Sequence, residues 1–180
     1  MLRIRTALVL GLIAATTLPV TAQNADSARI ADVARRGVEV MPFDLRATVH
    51  VFTKLDQGGV QRVAARDPGD QAQVRLVREH LQDLRSRFLR GDFSGPTHIH
   101  GQDMPGLATL RQAAPGQLLI AYQDVPGGAE LRYQSADPAL VAALHQWFEA
   151  QLSDHGPDAQ AGHAHDHDHA HHHPMPAGGH

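Results

Sequence analysis

Hydrophobic and polar positions alternate in four short segments of the chain, in a pattern typical of β-strands. The four segments form two pairs along the chain. Gly58 and Gly59 lie between the segments of the first pair, and Gly127 and Gly128 lie between those of the second. Glycine turns between strand-like segments are typical of β-hairpins. The pattern therefore predicts two hairpins, built from Thr48–Lys54 with Val60–Ala65 and from Gln117–Tyr122 with Ala129–Tyr133.

Two longer segments have the spacing of amphipathic helices instead. Each follows an Asp-Pro pair, Asp67-Pro68 in the first case and Asp137-Pro138 in the second, and proline is tolerated in the first turn of a helix. The second helix is predicted to end at Gly156. The predicted apolar faces are Val74, Val77, Leu81, Leu84 and Phe88 in the first helix, and Val141, Leu144, Phe148 and Leu152 in the second.

The order of these elements predicts an α+β fold. We expect an antiparallel sheet of about four strands with helices packed on one face, formed by residues 41–156. Both halves run strand, glycine turn, strand, Asp-Pro, helix, and their Gly-Gly pairs lie 69 positions apart. This agreement is consistent with a ββα duplication, although shared turn and helix-start chemistry also produces it.

The N-terminus has the features of a secretory signal peptide over residues 1–22. Arg3 and Arg5 precede an uncharged apolar segment, Ala7–Ala15, and Ala22 ends a small-x-small cleavage pattern. We therefore expect Sec-type export, to the periplasm or out of the cell. The apolar segment is too short for a stable membrane anchor. Residues 23–40 form a polar leader, either a short amphipathic helix or an irregular segment.

Composition restricts the partners and the chemistry. The formal net charge is −3, and removal of residues 1–22 with their two arginines makes it about −5, which argues against nucleic acid as a partner. The chain has no cysteine, which excludes disulfides and thiolate metal sites. Gly-x-Ser-x-Gly, Walker and His-Glu-x-x-His motifs are also missing, so the sequence gives little support for an enzyme.

Residues 157–180 are predicted to form a disordered, histidine-rich tail. Neutral imidazole is a common ligand of copper, zinc and nickel, and alternating positions of an extended segment point to one side. The sequence therefore predicts an exported protein that buffers or delivers one of these metals. The alternatives are an incidental low-complexity segment and a purification-tag remnant. The expected ligands in the tail are His163, His165, His167, His169, His171, His172, His173 and His180.

A second candidate metal site lies inside the domain, in an expected loop. His98 and His100 would point the same way from an extended backbone, and Met104 adds a thioether that favours copper. The alternative is a surface loop with one histidine bonded to the backbone. His50 is interpreted as a half-exposed strand residue, and His155 as an imidazolium favoured by a helix C-terminus. If either histidine met the loop, a three-ligand site could form.

Two other classes of function stay open on these residues. One is a module that binds a small ligand or a protein and carries an incidental tail. The other is a small exported enzyme that uses His98 or His100 as an acid–base group.

Several segments of the domain resemble a family of small exported bacterial proteins of unknown function, and the resemblance covers about residues 38–156. Some members are labelled aspartate carbamoyltransferase. That enzyme family has a Ser-Thr-Arg-Thr phosphate-binding motif, which this chain lacks, so the resemblance implies no catalytic residues. The segments are Val40–Leu45, His50–Thr53, Gly91–Ser94, His100–Gly106, Ala136–His145 and Leu152–Gly156.

Overall fold

A computed structural model describes residues 20–163, with side chains from residue 26 onward. The expected signal peptide up to residue 19 and the tail from residue 164 lie outside the described residues. The elements in chain order are α1 (Val20–Val40), β1 (Thr48–Leu55), β2 (Gly58–Ala65), α2 (Gln71–Phe88), α3 (Ser94–His100), α4 (Leu107–Arg111), β3 (Leu119–Val125), β4 (Gly128–Gln134), α5 (Pro138–His155) and β5 (Ala159–Ala161).

The strands form one five-stranded sheet in the order β3-β4-β2-β1-β5. The two expected hairpins are present, and they join through antiparallel pairing of β2 with β4. The α+β class is confirmed. The sequence analysis missed β5, a three-residue strand that pairs in parallel with β1 and lies in the segment assigned to the tail. Three residues are too few to show an alternating pattern.

The first hairpin turns one step earlier than expected. Leu55 pairs with Gly58, so Asp56 and Gln57 form the turn and the glycines begin β2. Gly59 is required there because a Cβ at this position would lie 2.5 Å from the ring of Phe148. Gly59 is therefore required by the packing of the core and not by the conformation of the turn.

The start of α2 also differs from the expectation, whereas its buried face does not. Asp70, not Asp67, is the N-cap, because its carboxylate accepts a hydrogen bond from the backbone N–H of Gln73. Asp67 instead accepts from Gly69 N–H in the preceding turn. The predicted apolar face is confirmed in full, since the buried residues are Val74, Val77, Leu81, Leu84 and Phe88.

Helix α5 begins as predicted, with Asp137 as the N-cap and Pro138 in the first turn. Its buried face is rotated from the prediction, because Val141 and Leu152 are only partly buried. The face that meets the core is apolar at first and polar in its last turns. It consists of Leu140, Ala143, Leu144, Trp147, Phe148, Gln151, Asp154 and His155.

The leader is helical. As α1 it packs against α3 and α5, and Val33 on α1 is 1% exposed. Helices α2 and α5 lie on the sheet face formed by Phe52 of β1, Val63 of β2, and Leu131 of β4. Within residues 20–163, no helix combines the length and the apolar character that crossing a membrane requires.

Candidate functional site

Three buried histidines from three different elements meet beside the C-terminal end of α5. We call His50, His100 and His155 the histidine cluster. The ring centroids of His50 and His155 lie 5.1 Å apart, and those of His100 and His155 lie 5.0 Å apart. All three residues are at most 8% exposed. The meeting that the sequence left open therefore occurs, but it involves His100 alone of the two loop histidines.

Each histidine is directed inward by the periodicity of its element. On β1, His50 alternates with Thr48 and Phe52, and this set faces the core. His155 lies seven residues after Phe148, on the buried face of α5. The interpretation of His50 as half-exposed is therefore wrong, because its face of the strand is covered by the helices.

His98 and His100 do not point the same way, because residues 94–100 are helical rather than extended. Side chains two positions apart on a helix diverge by about 200°. The side chain of His98 is 52% exposed and its Nε2 lies 2.8 Å from Glu39, whereas that of His100 is 1% exposed. They cannot chelate one ion together. Met104 is 4% exposed and packs in the hydrophobic core.

A buried carboxylate orients His100. The Nδ1 atom of His100 lies 2.9 Å from Oδ2 of Asp154, and Nη2 of Arg29 on α1 donates to the same oxygen at 2.6 Å. Burial raises the pKa of Asp154, but the hydrogen bonds from His100 and Arg29 outweigh it and keep this pKa below its ordinary value. The ionised carboxylate accepts, so Nδ1 of His100 carries the proton and Nε2 is directed away from the pair.

The other imidazoles of the site are uncharged at neutral pH. Burial lowers the pKa of His155 to about 4, with a further decrease from His100 and an opposing effect of Asp154. Burial likewise lowers the pKa of His50 well below its ordinary value. The expected imidazolium at residue 155 is therefore wrong. Nε2 of His155 lies 3.1 Å from Oε1 of Gln151.

The histidine cluster lines a cavity of about 40 Å³. A cavity needs roughly 10–15 Å³ of such volume for one water, so this one has room for a few water-sized groups. It is far smaller than the roughly 300–1,000 Å³ of sites for organic ligands. The rest of its wall is mainly apolar, and its polar lining outside the cluster comes from His80, Gln61 and Gln151.

The described residues include no group of three or more His, Asp or Glu side chains already arranged to hold a metal ion. The expected tail ligands cannot be placed, since all but His163 lie outside residues 20–163. His163 is exposed, and it follows β5 at the edge of the sheet.

Four residues around the cluster were missed by sequence reasoning: Arg29, His80, Gln151 and Asp154. For Gln151 and Asp154 a signal existed, because they continue the three- and four-residue spacing of Leu144, Trp147 and Phe148. Polar residues on such a face are buried by the same periodicity that buries the apolar ones. Arg29 had no comparable signal, since it reaches Asp154 from 125 positions away.

No family model matches this chain, and neither a curated protein nor a solved structure matches it. The resemblance stated from the sequence therefore stays an expectation.

Proposed function

We propose that this chain is an exported protein that binds copper, zinc or nickel through imidazole ligands, both in its histidine-rich tail and in the histidine cluster. The observation that carries the proposal is the convergence of three buried imidazoles on one small cavity. Burial keeps His50 and His155 uncharged at neutral pH, and an uncharged imidazole is the form that binds metal.

The spacing of the rings supports this proposal. A Zn–N bond is about 2.0–2.1 Å long, so imidazoles at tetrahedral angles around one zinc ion have ring centroids about 5 Å apart. Two of the three pairs have this separation, 5.0 Å for His100 with His155 and 5.1 Å for His50 with His155, and the rings of the second pair are stacked with their planes 10° apart. Ring rotation within the cavity would then bring the nitrogens onto a common point.

The surroundings of His100 support the same interpretation. Metal-ligating histidines commonly donate their second N–H to a carboxylate, which fixes the tautomer and makes the other nitrogen more basic. Asp154 makes this bond to His100, and Arg29 holds Asp154 in turn. Trp147 lines the cavity, and its Nε1 is buried without an acceptor among the described residues. Water bound to a metal ion in the cavity would supply an acceptor.

The tail and the cluster would then differ in role. Exposed imidazoles with pKa values near 6.5 bind metal loosely and in competition with protons. Ligands held in a buried cavity lose less conformational entropy on binding and exchange metal more slowly. The tail would collect ions and the cluster would retain one of them.

The experiment is a titration of zinc and copper into two chains, residues 23–180 and residues 23–162. The shorter chain lacks the tail but keeps β5, and we expect it to bind one ion. His155→Phe in the shorter chain should abolish that binding, because Phe fills a similar volume without a nitrogen. Glu149→Gln, which removes an exposed carboxylate of α5 outside the cavity, is the matched control and should leave the affinity unchanged. Binding by His155→Phe at the affinity of the parent chain would contradict the proposal.

The pairing of His100 with Asp154 also supports a second candidate function, acid–base catalysis by His100 on a small substrate. A carboxylate-oriented imidazole that faces a cavity is an arrangement found in general-base catalysis. A panel of small esters and amides, assayed with and without a metal chelator, separates the two functions. Turnover that survives chelation and is lost in His100→Ala would favour the enzyme.

A further inference from the structure

A groove on the surface lies next to the cavity of the histidine cluster. We call it the outer groove, and its volume is about 540 Å³. Four of its lining residues also line the cavity, so the two spaces share one wall. The shared residues are Val40, His80, Leu84 and Gly95.

We propose that the outer groove is where the metal ion first binds, and that His80 in the shared wall passes it to the histidine cluster. This proposal rests on the proposed function. It assigns an access site and a transfer residue to metal binding by the folded domain.

The chemistry of the outer groove suits a cation. Glu39 and Asp83 contribute carboxylates to its lining, and His98 contributes an exposed imidazole. Glu39 has His98 as its partner, at 2.8 Å. Arg87 also lines the groove and is the opposing charge. Its Nε lies 3.3 Å from Asp83 and 3.7 Å from Asp92, so Arg87 offsets the charge of these carboxylates. The carboxylate of Glu39 and the imidazole of His98 are then the ligands that the groove offers to a cation.

His80 has the properties of a transfer residue. It is half-buried on α2, and its ring packs edge-on against Phe43 with a centroid distance of 5.5 Å. Burial lowers its pKa to about 4, while Asp83 opposes that effect and Arg87 adds to it. An uncharged imidazole that lines both spaces can accept an ion from one side and release it to the other.

Gly95 of α3 and Val40 of α1 meet in the shared wall. Gly95 of α3 has no side chain there, and a Cβ at this position would lie 3.4 Å from Cγ1 of Val40, in ordinary van der Waals contact. A methyl group at Gly95 would therefore narrow the passage between the two spaces without a steric clash. Alanine is also the better helix former, so Gly95→Ala preserves α3.

The experiment measures copper(II) uptake by the chain of residues 23–162 in a stopped-flow instrument. Trp147 is the single tryptophan and lines the cavity, so quenching of its fluorescence reports arrival at the cluster. Gly95→Ala and His80→Phe should each slow uptake about tenfold, equivalent to about 1.4 kcal/mol in the barrier. Release should slow by the same factor, and the equilibrium affinity should not change. Glu79→Gln, at the exposed neighbour of His80, is the control and should leave both rates unchanged.

The outcomes separate this proposal from the one it rests on. If the parent chain binds no copper, the proposed function fails. If it binds copper and both variants keep the parent rates, the access route is wrong. If His80→Phe lowers the affinity for copper by the same factor as the uptake rate, His80 is a permanent ligand of the bound ion. This result also overturns the transfer role.

A charge variant tests the outer groove independently. Glu39→Gln should slow copper uptake at low ionic strength, and the difference should disappear at high salt because exposed charges are screened. Glu149→Gln removes one exposed carboxylate that is paired with Lys54 elsewhere on the surface, and it should leave the uptake rate unchanged. Equal slowing by both variants would indicate general attraction by the protein's net charge and would overturn the assignment of the groove.

Discussion

The imidazole of His155 lies between those of His50 and His100, and two opposing effects act on its charge. A helix C-terminus favours an imidazolium by typically 0.3–1 kcal/mol, and by about 2 kcal/mol in partly buried positions. Burial has the opposite effect, and it is the larger one, since the pKa of His155 is lowered to about 4. The residue type and the helix position are visible in the sequence. The depth of burial depends on α1 and β1, which are distant in sequence.

The buried histidines predict that stability falls as the pH falls below about 6.5. In the unfolded chain the pKa of a histidine is about 6.5. In the native state those of His80 and His155 are about 4, and that of His50 is also well below its ordinary value. Between these values the unfolded chain binds protons that the native chain does not, so the free energy of unfolding decreases with pH. His155 alone contributes about 3 kcal/mol of this loss between pH 7 and pH 4.

Urea unfolding of the metal-free chain between about pH 7 and pH 5 measures this slope. His155→Phe should flatten it, because one of the buried imidazoles is then missing. Stability that stays constant over this range would mean that the cluster is hydrated rather than buried.

We expect the substitution of Asp154 by alanine to lower the free energy of unfolding strongly. Asp154→Ala leaves Nδ1 of His100 buried without its acceptor and removes the partner of Arg29. Removal of one partner of a buried ion pair costs about 3–5 kcal/mol of stability. Because Arg29 is half-exposed, we expect a loss of about 3 kcal/mol here. Glu149→Ala breaks an exposed pair with Lys54 and should have little measurable effect. Urea unfolding of both variants checks the contrast, and equal losses would contradict it.

At the scale of elements, the sequence pattern correctly predicted the elements whose formation depends on residues that are close together in the chain. The hairpins and the face of α2 followed from alternation and spacing, and both are confirmed. Helix α3 was expected to be a loop because Gly95, Pro96 and Gly101 flank its histidines. In the structure its N-cap makes no side-chain hydrogen bond. It is helical where α1 packs against it. The inward direction of His100 follows from that packing, so the sequence alone could not predict it.

The approach of α4 to α5 depends on one glycine. Gly106, the N-cap of α4, has a φ of +76°, and a Cβ there would lie 1.9 Å from the carbonyl oxygen of Ala143 in α5. Gly116 has a similar φ of +85° but no atom within 4 Å of its Cβ position. We expect Gly116→Ala to cost about 1 kcal/mol from backbone strain alone. Gly106→Ala should cost several times more, because the two helices must separate.

Thermal unfolding of the two variants checks this comparison. The matched φ values make Gly116→Ala the control for strain, so the excess loss in Gly106→Ala measures the contact between α4 and α5. A similar loss of stability in both variants would show that α4 and α5 can move apart at little cost in free energy.

At the scale of the whole molecule, two segments outside the predicted domain of residues 41–156 belong to the fold. Helix α1 supplies Arg29 to the site and Val40 to the wall of the cavity. Strand β5 extends the sheet beyond β1. The sequence predicted the order of elements and the class of fold. It could not predict the site, because His50 and His155 are brought together by tertiary contacts between β1 and α5.

Zinc should stabilise the folded chain through the cluster but not through the tail. A ligand raises stability only when it binds the native state in preference to the unfolded state. The tail is expected to keep its ligands in both states, whereas the cluster exists only in the fold. At zinc concentrations about 100-fold above the dissociation constant, the free energy of unfolding should rise by about 2.7 kcal/mol.

Thermal unfolding with and without zinc measures this rise in the chain of residues 23–162, where the tail is missing. His155→Phe in the same chain should remove it. A rise that requires residues 163–180 would instead assign the stabilisation to the tail.

Strand β5 has a further consequence, which concerns association between molecules. Its parallel pairing with residues 50–52, together with the bond from Gly162 N–H to the carbonyl of Phe52, occupies the backbone groups on that side of β1. An unpaired strand edge is a template for intermolecular pairing and aggregation. A chain cut at Gly156 would therefore lose this protection along with the tail, and its precipitation would be mistaken for an effect of the missing histidines. A cut after Gly162 keeps the edge covered.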